Sequence, residues 1–299
     1  MKKVIVFGGS GFIGSHVADA LSEKNYEVTI FDSSPSKWLG ENQRQIIGNI
    51  LDKRAVYEAI KDHNIVYNFA AVADLNIAVH DPLKTAEVNI IGNLNILQSC
   101  VDLNIQRFIY ASSIYVYSRE GGFYRCSKQA AESFIKEFHN KYKLDYTILR
   151  YGSLYGPRAS SDNGLYRIIK EAILDNTLSY QGSKESVREY IHVSDAADTS
   201  VEILSNEYSC QSLILTGSES KKVSDVLKIL QEIFNFPNSS VKFSNNSYEG
   251  HYTATPYSFE VDVARKLSPR LHHDLGQGLL EMAKEIYKEV SCGESRNQK

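Results

Sequence analysis

Tyr124 stands four residues before Lys128 in SREGGFYRCSKQ (118–129), just behind a glycine pair and eleven positions after Ser113 in YASSIYVYS. On a helix, residues i and i+4 share a face, so the ammonium would lie beside the phenol. A nearby cation stabilises the ionised form of a phenol, which otherwise titrates near pH ~10. The spacing therefore describes either an acid/base device or a solvent-facing pair. A second suggestive set opens the chain: Gly9-x-Gly11-x-x-Gly14 in VIVFGGSGFIGSHVADAL, with Asp32 eighteen positions further on at the end of TIFD. Glycines so spaced permit a tight turn, close approach of backbone to a pyrophosphate, and close packing of helix on strand.

These residues need a scaffold, and the first 150 positions supply its pattern. The β-rich runs KVIVFGG, EVTIFD, RQIIG, NIVYNFAA, RFIYASS and DYTILRYG alternate with helical stretches. Ile13, Val17 and Leu21 keep helical spacing, as do Val88, Ile91, Leu94 and Leu97 along one long helix. Nearly continuous apolar strands separated by helices predict a parallel sheet covered on both faces. The class is α/β: a Rossmann-type doubly wound parallel sheet with a smaller, mixed C-terminal substrate-binding lobe. The first domain is placed at 1–156, with returning elements near 190–216. The lobe is placed mostly at 157–291, and 292–299 reads as a disordered tail. With the strand, the glycine turn and the helix in order, Asp32 suits the adenosine ribose hydroxyls. Ser33 and Ser34 follow it rather than an arginine, so NAD is favoured over NADP, with Lys37 the nearby cation that could upset this.

Bulk properties set limits. The chain has 299 residues, 42% hydrophobic and 23% charged, a formal net charge of −3 and four cysteines. That balance gives no global reason to bind nucleic acid or a membrane surface. No segment approaches the ~18 apolar residues a span requires. Cys100, Cys126, Cys210 and Cys292 form no CxxC pair, which argues against a zinc site and a disulfide framework, and suits a reducing cytoplasm. His272 and His273 read as a solvated turn rather than a metal site.

Gly8 beside the glycine pattern, YNFAA after the fourth strand, VNIIGN in the long helix, the paired serines, YxxxK, LRYGSLYGPR and REYIHVSDAA follow in order from residue 3 to about 205. Together they resemble the extended short-chain dehydrogenase/reductase family, in its nucleotide-sugar epimerase/dehydratase branch. The resemblance implies NAD as cofactor and a nucleotide-diphosphate sugar as substrate. It makes Tyr124 the acid/base, Lys128 its electrostatic partner and anchor of the nicotinamide ribose, and Ser113 the hydroxyl on the reacting sugar oxygen. It places Gly8, Gly11, Phe12, Ile13 and Gly14 on the cofactor turn, Asn49 and Ile50 at adenine, Ala70 and Ala71 along the cofactor trough, and Tyr151 beside the cofactor. Asn89 would brace the strand that carries Ser113. On the substrate side it implies Arg188 at the diphosphate, Asn163 at a phosphate, Tyr180 against the nucleobase, and Ser153 where relatives have a substrate-bonding Asn. It also implies a homodimer through the helices near 85–103 and 124–142.

The departures narrow the activity. Dehydratases of the branch carry an Asp-Glu pair after the hydroxyl residue and sugar-acid decarboxylases a Glu, whereas this chain has Ile114 and Tyr115. Without a carboxylate to take a carbon-bound proton, dehydration is disfavoured and Tyr115 reads as an aromatic wall. The loop between Ser113 and Tyr124 is short, so the pocket is either more open or completed by another segment such as NNSYEGHYTATPYSF. The first expectation is an NAD-dependent nucleotide-sugar epimerase working at C4 through a transient 4-keto sugar. The alternatives are an NAD(P)-dependent reductase or dehydrogenase of nucleotide sugars, and a noncatalytic NAD-binding protein.

Overall fold

A computed structural model describes residues 2–244 and 252–257. All of these fall within one unit, Met1–Glu260. The expected tail at 292–299, the pair His272 and His273, and the later part of the expected lobe lie outside the described residues.

The six β-rich runs form β1 (Lys3–Phe7), β2 (Glu27–Asp32), β3 (Gln43–Ile47), β4 (Ile65–Asn68), β5 (Arg107–Ser113) and β6 (Tyr146–Tyr151). The next three strands, β7 (Ser153–Tyr155), β8 (Leu178–Gln181) and β9 (Val187–His192), belong to the lobe, and β10 (Gln211–Leu215) returns to the first sheet. Seven strands in the order β10-β6-β5-β4-β1-β2-β3 make an all-parallel sheet. The expected doubly wound architecture is therefore present, with β10 among the returning elements. Alternation along the strands sends Ile5 and Phe7 into one apolar layer and Val4 and Val6 into the other. A parallel strand has to be apolar on both faces because both faces are covered. The chain order reverses between β1 and β4, where the carboxyl ends of the strands leave a crevice.

The first face is covered by α1 (Phe12–Glu23) together with a later helix, and the second begins with α2 (Lys53–Ile60). Asp52 caps α2 by accepting from the amides of Arg54 and Ala55. Next come α3 (Leu75–His80) and α4 (Pro82–Ala86), capped by Asp74 and Asp81, then α5 (Asn93–Asp102) and α6 (Gly122–Tyr142). One expectation fails here. The single long helix through Val88 and Leu97 is interrupted by a π-helical turn, Glu87–Gly92, between α4 and α5. Gly92 lies against the Ile50 side chain, which a Cβ would meet at 2.5 Å. Such turns are frequent at functional sites, and buried Asn89 lies inside this one.

The lobe is lighter. It comprises α7 (Gly164–Asp175), the strands β7, β8 and β9, and then β11 (Ser220–Lys222), α9 (Val223–Phe234) and β12 (Val241–Ser244). Its strands make a three-stranded sheet, β11-β9-β7, and a two-stranded one, β12-β8. Ile168, Ala172, Leu178, Val223, Leu227 and Leu230 form its own apolar cluster. The remaining helix, α8 (Val193–Glu202), leaves β9 and packs with α1 on the first face of the large sheet. No described helix is long and apolar enough to cross a membrane.

Candidate active site

The glycine turn between β1 and α1 sits at the crevice. Gly8 holds φ +75°, and a Cβ there would strike the backbone of Ala70 at 2.6 Å; at Gly14 it would strike the Gly8 carbonyl oxygen at 2.2 Å. Gly14 is thus what lets helix and strand touch. Gly11 caps α1 without any side-chain hydrogen bond, and the first turn holds no acidic residue. The amides at that end have no intrahelical acceptor, and the helix dipole adds partial positive charge. At the tip of β2, Asp32 accepts from the amides of Ser10 (3.0 Å) and Ser34 (3.1 Å). A carboxylate has about four acceptor sites, so two backbone bonds leave room for ribose hydroxyls. A glycine-rich turn, open helix amides and an oriented carboxylate fit a dinucleotide.

Other residues expected around the cofactor make contacts within the protein. Asn49 is exposed and bonds the Leu51 amide through its own side chain, while Ile50 is buried beneath Gly92. Asn89 is buried and braces different elements from those expected. Its carboxamide bonds both the amide and the carbonyl of Val72, at 2.7 and 3.0 Å, and donates to Ser127 Oγ at 2.9 Å. It therefore ties the loop after β4 to α6, between Tyr124 and Lys128, rather than supporting β5. Tyr151 borders the cleft, and its hydroxyl pairs with Ser200 in α8 at 2.6 Å. Ala70 lies against Gly8, and Ala71 lines the cleft.

A cleft of about 670 Å³ runs from Gly8, Gly11, Phe12, Ile13 and Gly14 past Ser113, Tyr124 and Lys128 to Ser153, Asn163, Tyr180 and Arg188. Tyr124 is the third residue of α6, behind Gly121 and Gly122, both in the left-handed region. These two glycines bend the chain so that Tyr124 and Lys128 face inward; they are 9% and 3% exposed. That burial excludes the solvent-facing reading, because a solvated pair would stand in water.

Lys128 Nζ donates to the Ala111 carbonyl at 2.7 Å and lies 4.7 Å from the Tyr110 ring centre and 5.7 Å from that of Tyr124. Burial pulls its ammonium down to about 7, with the Glu132 carboxylate acting in the opposite sense. Burial pushes the Tyr124 phenol up to about 12, against the hydrogen bond from Ser113. Ser113 ends β5, and its Oγ also accepts from the Tyr115 amide at 3.3 Å. Below them Glu132 is fully engaged, accepting from Ser112 Oγ at 2.6 Å and from Arg150 Nε at 2.9 Å, while Arg150 also bonds the Tyr117 hydroxyl. This buried pair fastens β5, β6, α6 and the turn after Ser113 into one block.

The far end is aromatic. Tyr115 meets Tyr124 edge-on at 6.2 Å, and Tyr252 packs on Tyr115 at 4.9 Å. The Tyr252 hydroxyl lies 3.2 Å from Ser153 Oγ, and the buried Arg188 guanidinium stacks 4.3 Å over the Tyr252 ring. Arg188 is held there by the carbonyls of Val187 and Thr253. Tyr252 comes from the very segment suspected of completing the pocket, although nothing in its spacing singled it out. Asn163 lines the cleft, yet its amide is already committed: its oxygen caps α7 at the Tyr166 amide and its nitrogen donates to Leu154. Tyr190 also lines this end and was missed, since in REYIHV it reads as an ordinary strand residue.

Comparisons with known proteins agree with this geometry. The chain is 28% identical over 294 residues to a UDP-N-acetyl-alpha-D-glucosaminuronate decarboxylase of Bacillus cytotoxicus, an alignment covering 89% of this chain and 88% of that one. It resembles the crystal structure of UDP-glucose 4-epimerase with UDP-glucose from Thermotoga maritima, with a TM-score of 0.78, 26% identity, and 86% and 90% of the two chains covered. A UDP-N-acetylglucosamine 4-epimerase from Methanobrevibacter ruminantium, solved with UDP-N-acetylmuramic acid, gives 0.76 at 26% identity, covering 86% and 89%. The family model for the NAD dependent epimerase/dehydratase family matches residues 4–212, from β1 into β10. On that match and on the glycine turn, buried Tyr124 and Lys128 that lie beneath it, the chain belongs to the NAD-dependent epimerase/dehydratase family of the extended short-chain dehydrogenases/reductases.

Proposed function

We propose that this enzyme is a nucleotide-sugar 4-epimerase. The observation that carries the reading is a buried Ser113, Tyr124 and Lys128 set followed directly by Ile114 and Tyr115, so that no carboxylate stands beside Ser113 in the turn after β5. Elimination and decarboxylation are better served by an acidic group there, while epimerisation needs only one reversible acid/base. NAD, when bound, supplies reversible hydride acceptance at the sugar carbon.

Gly8, Gly11 and Gly14 shape the turn that would hold it, the first amides of α1 would bond its phosphates, and Asp32 would bond the adenosine ribose. Tyr124 takes the proton from the C4 hydroxyl and returns it, with Ser113 bonding the same oxygen. A phenol held near 12 needs added positive charge to act as a base near neutrality. Lys128 provides part of it, the N-terminus of α6 another part, and an oxidised nicotinamide the rest. Arg188, its guanidinium oriented by two carbonyls, suits the diphosphate. Tyr115 and Tyr252 form an aromatic wall, free of carboxylates, against which a 4-keto sugar can turn.

The test is incubation of the purified protein with UDP-, GDP-, CDP- and dTDP-sugars, with and without NAD, followed by NMR. The expected result is epimer formation without net NADH. Loss of carbon dioxide, accumulation of a keto-deoxy sugar, or stoichiometric NADH would replace this reading with decarboxylation, dehydration or net oxidation. The homodimer belongs to the same proposal: Ile91, Phe123 and Phe134 are exposed on the helices expected at the interface. Light scattering would report the mass. Three free cysteines among the described residues suit a reducing cytoplasm.

A further inference from the structure

Far from the cleft, where the strands of the large sheet begin, three side chains of ligand type converge. His139 comes from the last turn of α6, Asp145 precedes β6 directly, and Cys210 precedes β10 directly. Cys210 Sγ lies 3.5 Å from His139 Nδ1 and 3.4 Å from Asp145 Oδ1, and the three ligand atoms all lie within 4.8 Å of one another. Zinc bonds of about 2.3 Å to sulfur and about 2.0–2.1 Å to nitrogen or oxygen, set tetrahedrally, separate the ligand atoms by roughly 3.3–3.6 Å. Both edges that include the sulfur already have that length.

The backbone holds the thiol in place. Cys210 has φ +57°, and its amide donates to the Tyr146 carbonyl at 2.7 Å. Two other polar groups border the cluster: the Leu144 carbonyl, 3.1 Å from His139 Nδ1, and Ser209 Oγ, 3.6 Å from the sulfur. A bound metal would take Nδ1 away from Leu144 and leave the proton on Nε2.

We propose that His139, Asp145 and Cys210 form a three-ligand site for a zinc-type divalent ion, with water as the fourth ligand. One thiolate, one imidazole and one carboxylate favour zinc or cobalt over magnesium or calcium, which prefer oxygen donors. Such an ion would staple the end of α6 to the starts of β6 and β10, and β10 is an edge strand of the sheet. Cysteine spacing argued against zinc in the sequence because the ligands are separated by 6 and 65 residues; only the fold brings them together. The site is independent of the proposed reaction.

The experiment is titration of chelator-treated full-length protein with Co²⁺, followed by displacement with Zn²⁺. Thiolate coordination adds a near-ultraviolet charge-transfer band, and a tetrahedral field adds strong visible bands. One equivalent is expected to bind with both signatures and to raise the melting temperature. Cys210→Ser, nearly isosteric, should remove the charge-transfer band and weaken zinc binding by at least about tenfold; His139→Gln should weaken binding to a similar degree while any cobalt that still binds keeps the band. Cys126→Ser should change nothing. Asp145→Asn supplies a third variant should either of the others fail to fold, with folding checked by circular dichroism. A cobalt spectrum without the thiolate band, or zinc affinity unchanged in Cys210→Ser, would overturn the site.

Discussion

The two ends of the cleft are built from different materials. At the cofactor end the surface is backbone: glycines whose missing side chains leave no tolerance, amides at the start of α1, and a carboxylate fixed by two more amides. At the sugar end the surface is side chain: Tyr115, Tyr252, Tyr180 and Arg188, brought from the turn after β5, the segment near 252, β8 and β9. Backbone can be shaped only by which residues lack a Cβ, so the first end is encoded in a short contiguous motif. Side-chain walls can be assembled from anywhere in the chain, so the second is not. This contrast suits a fold in which one cofactor serves many substrates.

Substitutions can break or sharpen that contrast. The largest effect is expected between the two ends: Tyr124→Phe removes the acid/base and should lower kcat by about 10²–10⁴-fold, measured on whichever sugar turns over, with dinucleotide binding retained. Loss of binding together with kcat would mean that Tyr124 is part of the cofactor surface instead. Next is Gly14→Ala. Its methyl group would meet a backbone carbonyl at 2.2 Å, so helix or strand has to move, at roughly 3 kcal/mol. Calorimetry should find dinucleotide binding abolished as well, and a variant that binds normally would refute the claim that this end is intolerant.

Lys128→Met separates function from stability. In the ligand-free protein the folded ammonium has its pKa pulled down to about 7 from an ordinary 10.5. Between these values the unfolded chain binds more protons, so stability rises with pH across that window, and the penalty for burying the charge is complete below it. Lys128→Met should therefore abolish activity and yet raise stability at pH 6, on the order of 1–3 kcal/mol, with the gain disappearing as pH approaches 10.5. A pH-independent loss of stability would show that the ammonium is a net structural asset. The smallest effect is expected at the side-chain end. Tyr252→Ala should raise KM about tenfold, roughly 1.4 kcal/mol, and alter sugar preference while leaving NAD affinity untouched.

Much of the first region was legible in advance. Five of the six early strands follow from apolar runs, since a strand buried on both faces must be apolar at successive positions; β3, at the sheet edge, begins with Gln43, Arg44 and Gln45 and is largely exposed. Their parallel order follows from the intervening helices. The π turn at Glu87–Gly92 was not legible, because 3.6-residue periodicity through Val88, Ile91 and Leu94 looks the same whether or not one turn widens. The brace made by Asn89 depends on Val72 and Ser127, neither of which has any sequence signature. Tyr151 and Asn163 line the cleft as expected of ligand-facing residues, but their bonds to Ser200, Tyr166 and Leu154 were not legible, because a polar group bonds whatever the fold places beside it.

The amino-acid sequence alone determined the alternating strands and helices, the glycine turn with its carboxylate, and the tyrosine and lysine one helical turn apart, since all of these depend on spacing over a few residues. Only the tertiary structure decided that this pair is dehydrated, that Tyr252 and Tyr115 line the far end of the cleft, and that His139, Asp145 and Cys210 meet where the strands begin. Dehydration and long-range convergence depend on every element that closes over a residue, and local spacing holds no record of which elements those are.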